Sequence, residues 1–339
     1  AQVALARRPA EAAISEGNLA ENPLFVLNNK DAKPPIGVDA NGKPDLSLYT
    51  RVLSIGKTID AGTEVERSVT LKANPQFGYP TMFAYRLLIA IIEEARRHDF
   101  ASPTVYISRH ALASRLGMKR PGHKEYKDIE NALEAMRTLS LRFAETWYQK
   151  REGKRGSVQC DGLISSFRFV DDRQVALPFV QNEEASSKRS YVRMSDILFE
   201  SLKNNYFHGV DLDYMNALKT PLAQRLYAYL AKKDNNRPSY SEDVRLLASK
   251  LNLKKRAPSA IWDALDPQSS SRADSGPLEL LRRETEVEYS GQQLRTRRFL
   301  ERWVADRKTN LLTVFFYDET RAEVELSLDI AKQRRIAAR

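Results

Sequence analysis

Apolar residues recur along this chain with two different periods, and the change from one to the other marks out its elements. From Thr81 to Arg97, the residues Met82, Phe83, Leu87, Leu88, Ile89, Ile91 and Ile92 leave almost no polar side, the pattern of a helix buried in a core. Ser108, a good N-cap, precedes Leu112 and Leu116 on one face, and Gly117 follows where a left-handed helix end is expected. Beyond the turn holding Lys119, Arg120, Pro121 and Gly122, apolar positions return at three- and four-residue spacing through Tyr126, Ile129, Leu133 and Met136. That spacing predicts an amphipathic third helix. The period then shortens. Leu141 to Lys150 and Leu163 to Val170 read as strands on either side of the basic, glycine-containing stretch 150–156, giving a hairpin with a charged tip. A further strand is expected over Val65 to Lys72, ahead of the turn cluster Asn74-Pro75 and Gly78-Tyr79-Pro80. Helix, helix, turn, helix and hairpin in this order is the layout of a winged helix, whose third helix and hairpin are available to DNA.

The second half repeats this plan. Ala113-Ser114-Arg115-Leu116-Gly117 is echoed by Ala248-Ser249-Lys250-Leu251-Asn252, and Arg86-Leu87-Leu88-Ile89-Ala90 by Arg225-Leu226-Tyr227-Ala228-Tyr229. Gly and Asn are the residues best suited to a left-handed helix end. A second hairpin is expected from Trp303 to Arg307 and Leu311 to Tyr317 around Lys308-Thr309-Asn310. Two segments compete for the second third helix: Pro258 to Leu265, or Gln292 to Arg302. The expected fold is therefore α+β, with two tandem winged-helix domains, each a three-helix core with a β-hairpin wing. Residues 1–45, rich in Ala, Asn, Pro and Gly, form a flexible arm. The first domain covers 46–172 and the second 173–328, with an inserted Ser-, Asp- and Pro-rich loop at 266–277 and a basic tail over 329–339.

Length and charge narrow the function. The 339 residues, 42% of them hydrophobic, suffice for two cores, and 54 Lys and Arg against 44 Asp and Glu leave a net charge of +10. With a sequence pI near 9.5, an anionic partner such as nucleic acid is favoured. A single cysteine, Cys160, rules out an internal disulfide and fits a reducing, cytoplasmic setting. His98, His110, His123 and His208 have no metal-ligand spacing, so no metal and no cofactor is expected. No apolar run approaches the roughly 20 residues that span a bilayer, which excludes a membrane partner. Gly56-Lys57-Thr58 resembles the end of a phosphate-binding loop, but the glycine needed five residues earlier is Arg51. There is also no His-x-His pair to serve a nicking tyrosine. No enzymatic activity is expected.

The candidate DNA contacts are basic. On the first third helix, Lys124, Lys127 and Asn131 lie on one line opposite the apolar stripe, where Asn can read adenine and Lys can reach guanine or phosphate. Glu125, Asp128, Glu130 and Glu134 share that surface, so a plain solvated face competes with this reading. Lys119 and Arg120 flank the helix start. At the hairpin tip, Lys150, Arg151, Lys154 and Arg155 suit phosphate contact. In the second half the equivalents are Lys254, Lys255 and Arg256, together with Arg295, Arg297 and Arg298. Trp147, Trp262 and Trp303 fit packing better than base stacking.

Several segments carry a family likeness. Residues 77–86, Phe-Gly-Tyr-Pro-Thr-Met-Phe-Ala-Tyr-Arg, the Ala132-Leu133 helix with its Thr146-Trp147-Tyr148 strand, and residues 221–227, Pro-Leu-Ala-Gln-Arg-Leu-Tyr, resemble the bacterial replication initiator protein A family. The resemblance runs from about Leu46 to Leu253 and weakens across 257–302. It is similar in plan to the iteron-binding plasmid initiators. It implies recognition of repeated duplex sites at an origin, melting of an adjacent AT-rich region, and recruitment of the host initiator and replicative helicase. Monomeric and dimeric forms and some affinity for single-stranded DNA are implied as well. A transcriptional regulator or a single-strand-binding repair factor built on the same domains is the competing reading.

Overall fold

The computed structural model describes residues 13–39, 41–60, 63–170, 189–234, 237–255, 257–267, 273–289 and 293–318. Its helices are α1 (Gly17–Glu21), α2 (Asn29–Ala32), α3 (Met82–Arg97), α4 (Arg109–Arg115), α5 (His123–Arg137), α6 (Asp196–Lys203), α7 (Leu212–Ala217), α8 (Pro221–Asp234), α9 (Val244–Lys250), α10 (Pro258–Leu265) and α11 (Pro277–Arg282). The strands are β1 (Ala13–Glu16), β2 (Gly37–Val38), β3 (Pro44–Asp45), β4 (Thr50–Asp60), β5 (Thr63–Lys72), β6 (Thr104–Tyr106), β7 (Ser140–Gln149), β8 (Lys154–Asp161), β9 (Ile164–Arg168), β10 (Tyr191–Met194), β11 (Phe207–Val210), β12 (Ser239–Asp243), β13 (Thr285–Tyr289), β14 (Gln293–Arg297), β15 (Leu300–Asp306) and β16 (Leu311–Phe316). The fold mixes helices with antiparallel sheets.

The apolar run after Thr81 becomes α3, whose Leu87, Leu88, Ile89, Ile91 and Ile92 are fully buried. It packs on α4 and α5, which form as their caps dictate. Ser108 accepts a hydrogen bond from the Ala111 amide, and the chain leaves α4 through Gly117 at φ 79°. The second half uses the same devices. Asp243 caps α9 by accepting from the Arg245 amide at 2.7 Å, and the chain leaves through Asn252 at φ 61°. In both halves the next amide returns to the helix: Met118 to the Ala113 carbonyl, and Leu253 to the Ala248 carbonyl. The echo read in the sequence is thus an echo of backbone geometry.

Sheets flank these helices. The first half carries a four-stranded sheet in the order β4-β5-β7-β8 and a three-stranded one, β6-β10-β9. Val69, Leu71, Leu141 and Phe143 cover the core, while Val52 and Arg142 lie on the open face, as the alternation of a half-buried strand requires. The second half holds β12-β16-β15 and the separate hairpin β13-β14.

Several expectations need correction. The first hairpin closes with β8, not with a strand at Leu163 to Val170. The chain instead turns at Gly162 (φ 86°), where a Cβ would come within 2.5 Å of the Arg137 carbonyl, and β9 joins the other sheet. Of the stretch 150–156, only residues 150–153 form the turn, and Lys154 and Arg155 are already in β8. Gln292 lies outside the described residues, and 293–302 supply β14 and the start of β15; of the two competing segments, Pro258 to Leu265 is the one that forms a helix, α10.

The arm expected over 1–45 is not loose where it is described. Residues 13–26 are buried throughout, and β1 pairs with β11. Residues 1–12 and the tail 329–339 lie outside the described residues. The boundary at 172 also fails, because β10, expected in the second domain, is the central strand between β6 and β9. Within the expected loop at 266–277, a 3-10 turn forms at Ala273–Ser275 and Pro277 opens α11.

Candidate nucleic-acid interface

Helix α5 presents its charged side as its spacing requires. Ile129, Leu133 and Met136 are fully buried, whereas Lys124 and Lys127 are exposed and Asn131 is half-buried. The Glu125 carboxylate turns back to accept from the Gly122 amide at 2.9 Å. That bond holds it below its ordinary pKa and turns it toward the helix start. Glu130 is engaged by Arg109 at 2.8 Å and approached by Lys127 at 3.9 Å. Glu134 pairs with Arg137 at 2.7 Å, so three of the four acids that competed for this face are occupied locally.

The turn before α5 has an unexpected neighbour. Lys119 pairs with Glu288 of β13 at 2.9 Å, so the β13-β14 hairpin of the second half stands beside the first helix-turn-helix. Arg297, at the end of β14, lies 3.7 Å from Asp211. Arg298 donates to the carbonyls of Leu300 and Glu301 and sits over the Tyr317 ring. Arg295 is exposed on β14. These arginines belong to a hairpin and its exit, where the sequence allowed a recognition helix.

At the first hairpin, Arg151 and Arg155 are exposed. Lys154 pairs with Glu152 at 3.2 Å, and Lys150 donates to the Asn205 carbonyl at 2.8 Å. Tyr148 packs against Tyr206 with ring centroids 4.8 Å apart, which leans the hairpin on the chain after α6. In the second half, Lys254 pairs with Asp31, and Lys255 lies 3.8 Å from Asp263. Arg256 lies outside the described residues.

The tip of the second hairpin was missed as a candidate. Arg307 lies over the Trp262 ring and reaches Asp266, and Lys308 is exposed beside it. By position these two correspond to Lys150 and Arg151, and the Lys308-Thr309-Asn310 turn was the signal that could have found them. Trp147 and Trp262 are buried and Trp303 is half-buried, so packing accounts for all three.

Gly56-Lys57-Thr58 lies inside β4 at a register shift opposite β5, not between a strand and a helix. Among the described residues no group of three or more His, Cys, Asp or Glu side chains is placed to hold a metal ion. No described helix is long and apolar enough to cross a membrane. Burial, with Asp161 beside it, pushes the Cys160 thiol up to about 12. Since the thiolate is the reactive form and an ordinary thiol titrates near 8.5, Cys160 in the native protein should alkylate with iodoacetamide at pH 8 at least about a hundredfold more slowly than in urea. Equal rates by mass spectrometry would show the site to be open.

Comparison with known proteins completes the picture. Crystal structures of RctB domains 2 and 3 are similar to this chain. A selenomethionine form matches at 12% identity and a TM-score of 0.44, covering 87% of this chain and 99% of that one. A second matches at 12% identity and a TM-score of 0.40, covering 79% and 93%. No curated protein matches. The family model described as replication initiator protein A matches residues 51–259, a span reaching from β4 to the start of α10 and taking in α3, α4, α5, α8 and α9 with the first hairpin. With more than half of its length matched, the chain belongs to the replication initiator protein A family.

Proposed function

We propose that this initiator grips duplex DNA at repeated origin sites through two winged-helix units, α3-α4-α5 with the β7-β8 wing and α8-α9-α10 with the β15-β16 wing. In this reading it acts without catalysis or cofactor. Binding strains an adjacent AT-rich segment, and the bound protein recruits the host initiator and the replicative helicase, with monomeric and dimeric forms in different roles. The observation that supports it most is the repeat itself: two capped helices, each leaving through a left-handed Gly117 or Asn252 into a further helix, each followed by a hairpin with a cationic tip. A helix-turn-helix of this kind puts its last helix in the major groove and leaves a wing to the backbone.

The test is geometric. Two units on one face of a duplex enter major grooves about one turn apart, roughly 34–36 Å or 10–10.5 base pairs. After selection of a bound site from random duplexes, inserting five base pairs between its halves should drop affinity towards that of one unit and shrink the footprint to one half. Unchanged affinity would mean that the second unit does not read DNA in phase with the first.

A further inference from the structure

Residues 13–26 are wholly buried, yet their polar groups are aimed at both halves of the molecule. Towards the first half, Asn18 takes both backbone groups of Tyr148, accepting from its amide at 2.7 Å and donating to its carbonyl at 3.1 Å. Tyr148 lies near the end of β7, just before the turn of the first hairpin and opposite Arg155 of β8. Ser15 is bonded to the Tyr85 hydroxyl on α3 at 2.7 Å, and the Val26 amide donates to the Pro80 carbonyl.

Towards the second half, the fully buried Arg225 of α8 donates to the carbonyls of Leu19, Ala20 and Asn22, and with the same guanidinium to that of Lys250 at the end of α9. Glu21 receives Lys233 at 2.6 Å, Lys250 at 3.2 Å and Lys232 at 3.3 Å. Burial alone would raise its carboxyl, but the three ammonium groups hold it far below the usual carboxylate range. Asn252, the left-handed residue of the second helix-turn-helix, donates to the Phe25 carbonyl at 3.2 Å.

We infer that this segment is a rigid spacer that sets the phase between the two DNA-reading units, with Asn18 and Glu21 as its positioning residues. The inference rests on the two-unit reading above. One stretch of ten residues, 13–22, holds the first wing beside its turn at Asn18 and the end of α9 through Arg225 and Glu21. Two groups tied to the same short, buried backbone cannot rotate independently, and a fixed angle between units is what a composite site with defined spacing requires.

Asn18→Ala removes both bonds to Tyr148 and leaves the Glu21 cluster in place. With folding verified by circular dichroism, its affinity for a duplex carrying one half-site should stay within about twofold of the parent. Its affinity for the composite site should fall by about tenfold, and the penalty for a five-base-pair insertion should shrink. Lys233→Met is the milder companion, since Lys232 and Lys250 still neutralise Glu21, and it carries the test if Asn18→Ala does not fold. It should reduce the phase penalty in the same direction. Parent-like phase dependence in the folded variants overturns the inference, as does an equal loss on half and composite sites, which would mark local damage to the wing. Absence of any phase dependence in the parent protein would instead defeat the two-unit reading itself.

Discussion

Arg225→Met should cost about 3–5 kcal/mol of stability and lower the melting temperature by on the order of 10 °C. The guanidinium is fully buried, and all four of its hydrogen bonds go to backbone carbonyls, at 2.8–3.0 Å. Methionine fills much of the same volume but donates nothing, leaving four desolvated carbonyls short of a donor at roughly 1 kcal/mol or more each. The loss is smaller than four charged hydrogen bonds would suggest, because burying a guanidinium without a carboxylate is itself unfavourable. Arg225→Lys should fall between the two, since one ammonium cannot fan out to carbonyls on two elements as the planar fork does. Thermal unfolding followed by circular dichroism decides the matter. A Met variant melting within about 2 °C of the parent would show that the carbonyls find other donors.

The second large effect concerns salt. Many of the cations on the candidate surface already have acidic partners: Lys119 with Glu288, Lys127 with Glu130, Lys154 with Glu152 and Lys254 with Asp31. Each must give up that partner to reach a phosphate. Arg120, Lys124, Arg151 and Arg155 are exposed and make no ion pair among the described residues. They are the cations best able to release counterions on binding. Because each neutralised phosphate contributes about −0.9 to the slope of log affinity against log salt, replacing these four by alanine should flatten the slope by about 3.6. Alanine at Lys119, Lys127, Lys154 and Lys254 should flatten it by clearly less. Affinity titrations from about 50 to 200 mM salt measure both, and equal flattening would mean that the ion pairs do not restrain their lysines.

Helices α3, α4 and α5 were legible because their signals are local. Periodicity fixed α3 and α5, and the Ser108 and Gly117 boundaries need only neighbouring residues to act. The same locality exposed the repeat at Ala248 to Asn252. What was missed depends on distant partners. Ala13 to Glu21 forms one four-residue strand and one five-residue helix, too short for a period to show, and its Asn, Glu and Gly residues have the composition of a loop. Its burial is set by Arg225, Lys232 and Lys250, more than 200 positions away. Strand β8 was hidden differently: Lys154-Arg155-Gly156-Ser157 looks like a turn, and only the alternation through Val158 and Cys160 reveals an edge strand. At the candidate surface, the sequence supplied the cations but not which of them are held by carboxylates, because those pairings are long-range. Lys119 with Glu288 and Lys254 with Asp31 both join the two halves.

The buried spacer also sets an order of events as the chain is made. Leu19 emerges from the ribosome 206 residues before Arg225, whose guanidinium binds its carbonyl. At a synthesis rate of about 5–20 residues per second, that interval is roughly 10–40 s. Throughout it, Ile14, Leu19, Leu24 and Phe25, all fully buried in the finished protein, lack the helices α8 and α9 that close over this segment. The earlier-made α3 can collect the first half, but the segment that joins the halves is completed last. A nascent chain stalled before residue 225 therefore exposes the apolar side chains of residues 13–26, which makes this segment a natural target for a chaperone that holds apolar segments.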